Sequence, residues 1–463
     1  MQEQQFNPER PVNPRRKKRT KLQIFKEAYL PLIIAGAALI LILIFIVGSI
    51  TRAVQWNQLE KKESIAASVA AAQQQEAWEK EAAAIIAQAK AFAAGCDYEK
   101  AIALLDSFTG PAADFPELEA LGQSLQQESA ALVLWEDNGK VLNLSFQPLI
   151  ANPTVAFQDA KYGSSYKKNF ITISEFSKIL QQLYENDYIL VSMDDLVQNG
   201  QSCDLYLPEG KKPIMLTQTQ VNYYYYMVDS DGDLKPDLGG SGFANKIVLD
   251  DAGNLTCQIV NENGQTVTGA YDLVPILEAF IATHPDFSYK GARAILAVTG
   301  YNGVFGYRTV PSTQAYTNDY IQQETEGAKK IVQALRNAGY EIACYTYDNV
   351  AYGNYTADQI QDDLDRWQRE VSPILGVVRT LVYARSSDIG SKNTSYSGDK
   401  FDILQGAGFA HYLGFCNGST SWLYIGDSYV RQGRILVAGS KLTDTELFSG
   451  IFDPNQIIDS ARE

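Results

Sequence analysis

The sequence predicts an α/β domain built around a parallel sheet, carried behind one membrane-spanning helix and a helical stalk. Three observations predict it. Residues 30–50 run without an ionisable side chain. The segment that follows is rich in Ala, Gln and Glu and holds no Gly or Pro until Gly95. From Ala131 onward, short apolar runs alternate with segments that are apolar at helical spacing, the pattern of repeated βα units.

The first of these fixes an anchor. About twenty apolar residues at a helical rise cross a bilayer core, so residues 30–50 are long enough to span. Residues 1–29 form a basic tail in which eight Lys and Arg face Glu3, Glu9 and Glu27, whereas the near downstream stretch offers Arg52, Lys61 and Lys62. Positive charge is retained in the cytoplasm. The expected product is a single-pass protein of the cell membrane, its N-terminus cytoplasmic and its C-terminal domain extracellular. A cleaved signal peptide is the rival reading, but its apolar region runs to about 7–15 residues and ends in an Ala-x-Ala-like site, which does not follow Ile50.

Charge divides the same way. Beyond the tail lie 31 of the 39 Lys and Arg and 51 of the 54 Asp and Glu, an acidic balance that argues against nucleic acid. The tail itself suits anionic lipid. Five scattered cysteines, Cys96, Cys203, Cys257, Cys344 and Cys416, form no close pair for zinc or redox chemistry, and their odd number leaves one unpaired in a monomer. The fold must rest on an ordinary apolar core.

Residues 51–132 read as an extracytoplasmic helical stalk. Within it, residues 82–108, with Gly95 at a turn before Asp97-Tyr98-Glu99-Lys100-Ala101-Ile102, resemble one helical hairpin of the tetratricopeptide type. Such repeats need about three units to stand alone. The hairpin reads as a spacer packed near the membrane or on the next domain, or as a place where an envelope protein partner docks.

Residues 133–463 form the main domain. Residues 141–146 read as a strand, and Thr172-x-x-Glu175 is a capping box that opens a helix with Phe176, Ile179, Leu180, Leu183 and Tyr184 on one face. A strand over 213–217 follows. An insertion at about 229–290 contains short antiparallel strands over 247–249, 256–260 and 266–268, with Asn263-Gly264 as the hairpin signal. Asp272 is placed to cap a helix ending near His284-Pro285. Then come a strand over 294–299, a helix over 321–338 stopped by Gly339, a strand over 340–343 and a helix opened by Thr356-x-x-Gln359. A strand over 380–383, a helix over 399–405 and strands over 422–425 and 434–438 complete the order. Units of this kind close into a parallel barrel or stack into an open parallel sheet, with sites at the C-terminal strand ends.

At those strand ends the sequence resembles the polysaccharide deacetylase family, whose NodB-homology members are metal-dependent esterases acting on acetylated glycans. The resemblance spans about residue 141 to the C-terminus and is carried by Pro213-Ile-Met-Leu-Thr-Gln-Thr-Gln-Val-Asn-Tyr-Tyr, Gly242-Phe-Ala-Asn-Lys-Ile-Val-Leu-Asp, Ala297-Val-Thr-Gly-Tyr-Asn-Gly, Gly398-Asp-Lys-Phe and Tyr429-Val-Arg-Gln-Gly-Arg. It is closest to Gram-positive cell-surface members. It implies an irregular (β/α) barrel of about seven strands with a β-hairpin insertion, and hydrolysis of N- or O-acetyl groups.

The residues that such chemistry requires are replaced. The family's Thr/Ser-Phe-Asp-Asp motif, base then metal ligand, reads Thr217-Gln218-Thr219-Gln220, so Thr219 and Gln220 stand at those two positions. Its His-x-x-x-His motif falls on Tyr345 and Asn349, and Gln147 stands where a further His often ends the first strand. A hydroxyl has no basicity near neutral pH, and an amide does not hold a divalent cation as a carboxylate does. The chain's two histidines, His284 and His411, lie outside both motifs. The expectation is a site without a catalytic residue or a transition metal, in a pseudoenzyme that binds cell-wall polysaccharide or peptidoglycan.

Groove candidates are Asn222, Tyr301, Tyr347, Arg385 and Asp388, with Arg385 and Asp388 either holding a ligand or pairing with each other. Tyr223 to Tyr226, if extended, would send two rings to each face. Asp229, Asp231, Asp233 and Asp237 give a weak calcium pattern, with Gly at the fourth position instead of the sixth and Gly240 in place of the closing Glu. Two other readings stay open: a hydrolase with a rebuilt metal-independent site around Asp388, Arg385 and Asp348, and a structural envelope protein acting through protein contacts.

Overall fold

A computed structural model describes residues 20–198, 200–229, 235–237, 240–310, 316–416, 418 and 421–462. Helix α1, Leu30–Ala94, is continuous over 65 residues and carries the apolar run into the stalk without a break. It is long and apolar enough to cross a membrane. Nothing in residues 52–94 interrupts it, because straight-chain residues and Ala keep the helix while Gly and Pro are absent.

Internal contacts divide the chain between Glu81 and Ala82. The second unit therefore takes in the end of α1 together with α2 (Tyr98–Asp106) and α3 (Pro116–Ala130). Cys96 makes the turn at φ 61°, and the Asp97 carboxylate accepts the Lys100 N–H to cap α2. The Lys290 N–H donates to the Gly95 carbonyl at 2.6 Å, and Cys96 packs with Tyr289 at the N-terminal pole of the sheet. The hairpin thus packs on the domain that follows it.

Seven parallel strands close into a barrel. They are β1 Leu142–Phe146, β2 Lys212–Thr219, β3 Ile295–Val298, β4 Glu341–Cys344, β5 Thr380–Val382, β6 His411–Phe415 and β7 Val430–Leu436. Each pairs with the next in chain order, and β7 returns to β1 through Ile435 opposite Leu144 and Leu436 opposite Ser145. Helices α4 Ile173–Glu185, α5 Leu273–Thr283, α6 Asn318–Ala338, α7 Ala357–Glu370 and α8 Asp399–Gly406 cover the outside. A three-stranded antiparallel sheet, Lys246–Leu249, Leu255–Val260 and Thr266–Gly269, is the insertion.

Local chemistry fixes the helix ends. Capping boxes open α4 at Thr172 and Glu175 and α7 at Thr356 and Gln359, and Gly339 ends α6 at φ 100°. A Cβ at Gly339 would lie 2.4 Å from the Gly291 carbonyl oxygen. Alternate residues of the strands face two cores. The outer one, under the helices, holds Leu144, Phe146, Ile214, Leu216, Leu296, Ile342 and Leu381; the inner one holds Met215, Ala297, Ala343, Val382, Leu413 and Val430. Within the inner core Asn143 receives the Thr217 hydroxyl and donates to Gln432, both buried.

Four expectations need correction. Strand β6 was not anticipated, because His411-Tyr-Leu-Gly-Phe lacks β-branched residues and contains Gly414, where a Cβ would sit 2.9 Å from the Asp388 carboxylate. The run near 422–425 is no barrel strand: Leu423–Ile425 pairs antiparallel with β7, as so short a connection requires. Asp272 stands at the α5 N-cap, but its carboxylate makes no capping bond and turns into the barrel wall. Tyr223 to Tyr226 are not extended, since Tyr225–Val228 form a helical turn.

Candidate functional site

The loops leaving the C-terminal ends of β2 to β5 carry backbone that L-residues rarely adopt. Gln220, Tyr223, Asn302, Phe305, Thr346, Asn349, Arg385 and Ser386 all have positive φ, and they are eight of the twelve such non-glycine residues described. Each conformation costs about 1 kcal/mol or more and persists where the surroundings enforce it, a condition that concentrates at working sites.

Four side chains form the floor of this end. Tyr345, just past β4, is buried, and its backbone N–H donates to the Val298 carbonyl at 2.8 Å. The Thr219 hydroxyl donates to the Phe146 carbonyl at 3.2 Å. Arg434 of β7 lies alongside, fully buried, donating to the Ser145 hydroxyl at 2.6 Å and to the Tyr383 carbonyl at 3.3 Å. Burial pushes the Tyr345 phenol up in pKa, although Arg434 and Arg385 pull against it. Burial pushes Arg434 down to about 10.

Positions 219 and 345 are both buried at the C-terminal end of the barrel. Gln147, Gln220 and Asn349 are half-buried around them. The segment from Tyr345 to Asn349 is no helical turn, because Thr346 and Asn349 take φ of 63° and 54°. The family's metal does not fit this donor set: a threonine and a tyrosine hydroxyl and neutral amides replace carboxylate and imidazole. Among the described residues no three His, Cys, Asp or Glu side chains come together as a metal-holding group.

The other candidates are held as follows. The buried Asn222 amide bridges the β3 loop, donating to the Thr299 and Gly303 carbonyls and accepting the Thr299 N–H at 3.0 Å. Tyr347 is buried, donating to Glu370, with the Arg366 guanidinium 4.0 Å from its ring centre. Its ring closes over Gly300, where a Cβ would lie 2.1 Å away. Tyr301 is half exposed and contacts Tyr224 at 5.8 Å between centres. Arg385 and Asp388 do not pair: Arg385 donates to the Asn349 carbonyl at 2.8 Å, while Asp388 accepts from Arg431 at 2.9 Å and from the Tyr396 hydroxyl. Asp348 pairs with Arg366.

His284 stacks on Phe280 at the end of α5, and His411 opens β6 with Nδ1 3.0 Å from the Thr380 hydroxyl, at the opposite pole of the barrel. In the calcium pattern Asp231 and Asp233 lie outside the described residues; Asp229 is buried, and the Asp237 N–H donates to the Val228 carbonyl. All five cysteines are free thiols. Sequence reasoning missed Arg434 and its neighbours Arg431 and Gln432. They are three polar residues in Val430–Leu436, a strand that the structure buries along almost all of its length.

No protein-family model matches the sequence, and no curated protein does. Among solved structures, the Streptococcus pyogenes deacetylase PplD in complex with acetate aligns over 66% of this chain and 98% of its own at 12% identity, with a TM-score of 0.36. A de-N-acetylase from Aggregatibacter actinomycetemcomitans aligns over 65% and 95% at 13% identity, with a TM-score of 0.35.

Proposed function

We propose that this chain is a membrane-tethered pseudoenzyme with a deacetylase-like barrel, binding a cell-wall or envelope glycan at the C-terminal mouth of that barrel. The observation that carries the reading is the gathering of eight left-handed non-glycine residues in the loops of that one face, around positions where the family's base and ligands are replaced. Backbone strain is retained there while the reactive groups are not. A rebuilt hydrolase around Asp388 and Asp348 is disfavoured, because both carboxylates are held in ion pairs with Arg431 and Arg366 and neither stands free as a base.

Three measurements on the full chain in detergent test it. Purified wall polymer should retain the protein, and acetylated glucosamine oligomers should show no loss of acetyl groups. Chelator should leave the melting temperature unchanged in calcium-free buffer. Turnover of the oligomers, or one tightly held transition metal per chain, would overturn the pseudoenzyme reading; failure to bind any wall polymer would overturn the glycan.

A further inference from the structure

Two of the described buried arginines meet no carboxylate with their guanidinium: Arg308, which spends it on the Asn222, Asn302 and Tyr223 carbonyls, and Arg434 on the barrel floor. Arg462 meets Glu175, Arg431 meets Asp388 and Lys246 meets Glu324. Arg434 has the Ser145 hydroxyl, the Tyr383 carbonyl and the Phe415 ring at 4.3 Å, and its Nε has no hydrogen-bond partner. None of these contacts is to a carboxylate. The carboxylates of the same face are taken: Asp388 by Arg431 and Asp348 by Arg366.

An unpaired guanidinium out of water is destabilising, so packing alone would favour Met or Leu at this position. A second positive charge stands above it. Arg385, exposed at the rim, stands two residues beyond Tyr383, whose carbonyl Arg434 binds, and its own guanidinium reaches the Asn349 carbonyl at 2.8 Å. The exported chain is strongly acidic and repels anions at long range, so two arginines converging without a carboxylate make a local positive well.

We infer that the barrel mouth takes an oxyanion carried on a sugar, a carboxylate or a phosphate ester, between Arg434 on the floor and Arg385 at the rim. Arginine suits either group because its planar fork matches two oxygens at once. The buried Tyr345 hydroxyl adds a donor at this end of the barrel. This inference rests on the glycan-binding reading of the mouth and narrows its ligand to acidic polymers.

The test compares three tetrasaccharides on the full chain in detergent by calorimetric titration: one containing glucuronate, one carrying a phosphate ester, and neutral N-acetylglucosamine tetramer. At least one acidic ligand should bind tenfold or more tighter than the neutral one, and the preferred acid identifies the group. Arg434→Met should remove that preference, and raised salt should weaken it. Where Arg434→Met does not fold, Arg385→Gln and Tyr345→Phe decide, each expected to lower acidic-ligand affinity several-fold while sparing the neutral ligand. Equal binding of all three keeps the glycan reading and overturns the oxyanion. Binding of none overturns both, and an acid preference that survives these substitutions overturns the assignment to these residues.

Discussion

Asp272 is a fully buried carboxylate held by three donors and no cation: the Leu149 N–H at 2.9 Å, the Gln218 amide at 2.7 Å and the Tyr223 hydroxyl at 2.5 Å. Burial raises its pKa above the ordinary value, against the pull of those hydrogen bonds. A carboxyl whose native pKa lies above its unfolded one costs stability at neutral pH, and the cost is relieved as pH falls through the native value toward about 3.9. Asp272→Asn does not titrate, so the difference between the two proteins isolates this group. The native chain should gain on the variant as pH is lowered through that window, measured by urea unfolding at a series of pH values. A constant difference would show that Asp272 titrates alike in both states. At this scale the sequence was partly legible. Thr219 and Tyr345 could be placed at strand ends because they stand in motifs with fixed spacing, and both are buried at the C-terminal end of the barrel. Arg434 could not, because whether a cation in a strand faces a core or water depends on register and closure, which pairing partners far along the chain decide.

Elements far apart in the chain are clasped at the C-terminus. The Glu175 carboxylate, inside the capping box of α4, is buried and accepts from Arg462 Nε at 2.5 Å and Nη2 at 2.7 Å. Arg462 also donates to the Lys167 and Phe170 carbonyls, and the Asp459 N–H donates to Glu175. Removing one partner of a buried pair leaves an uncompensated charge, so Arg462→Ala should lower stability by about 3–5 kcal/mol. Glu175→Gln with Arg462→Met should cost less than the sum of the single changes, as coupled neighbours do. Urea unfolding of the full chain in detergent measures both, and a cost within about 0.5 kcal/mol for Arg462→Ala would reject the clasp. The capping box itself was legible, since Thr172-x-x-Glu175 signals a helix start locally. Its tie to Arg462 was not, because 287 positions separate the two and nothing local records a tertiary contact. Likewise α4, α6 and α7 were found within a few residues, while β6 was missed because closure of the barrel, not propensity, makes it a strand.

For the molecule as a whole, the charges that flank the apolar run predict an orientation. Eight Lys and Arg precede the apolar run against three after it as far as Lys62, and a bilayer holds the more positive flank on the cytoplasmic side. The orientation expected from this rule places everything after Thr51 outside. The structure makes this testable with little ambiguity. Residues 51–80 of α1 are almost all solvent-exposed and carry Arg52, Lys61, Lys62 and Lys80, whereas the strands and helices beyond Ala82 bury their apolar faces. Trypsin added to intact cells or protoplasts should therefore cut in this stretch before it opens the barrel, because cleavage needs backbone that can leave its packing. The expected products are a soluble fragment beginning near Lys62 or Lys80 and a membrane-bound stub whose N-terminal epitope survives. Permeabilised cells should lose that epitope as well. The opposite pattern, an N-terminal epitope digested from outside while a C-terminal tag stays protected, would reverse the topology and move the barrel mouth out of reach of any cell-wall glycan.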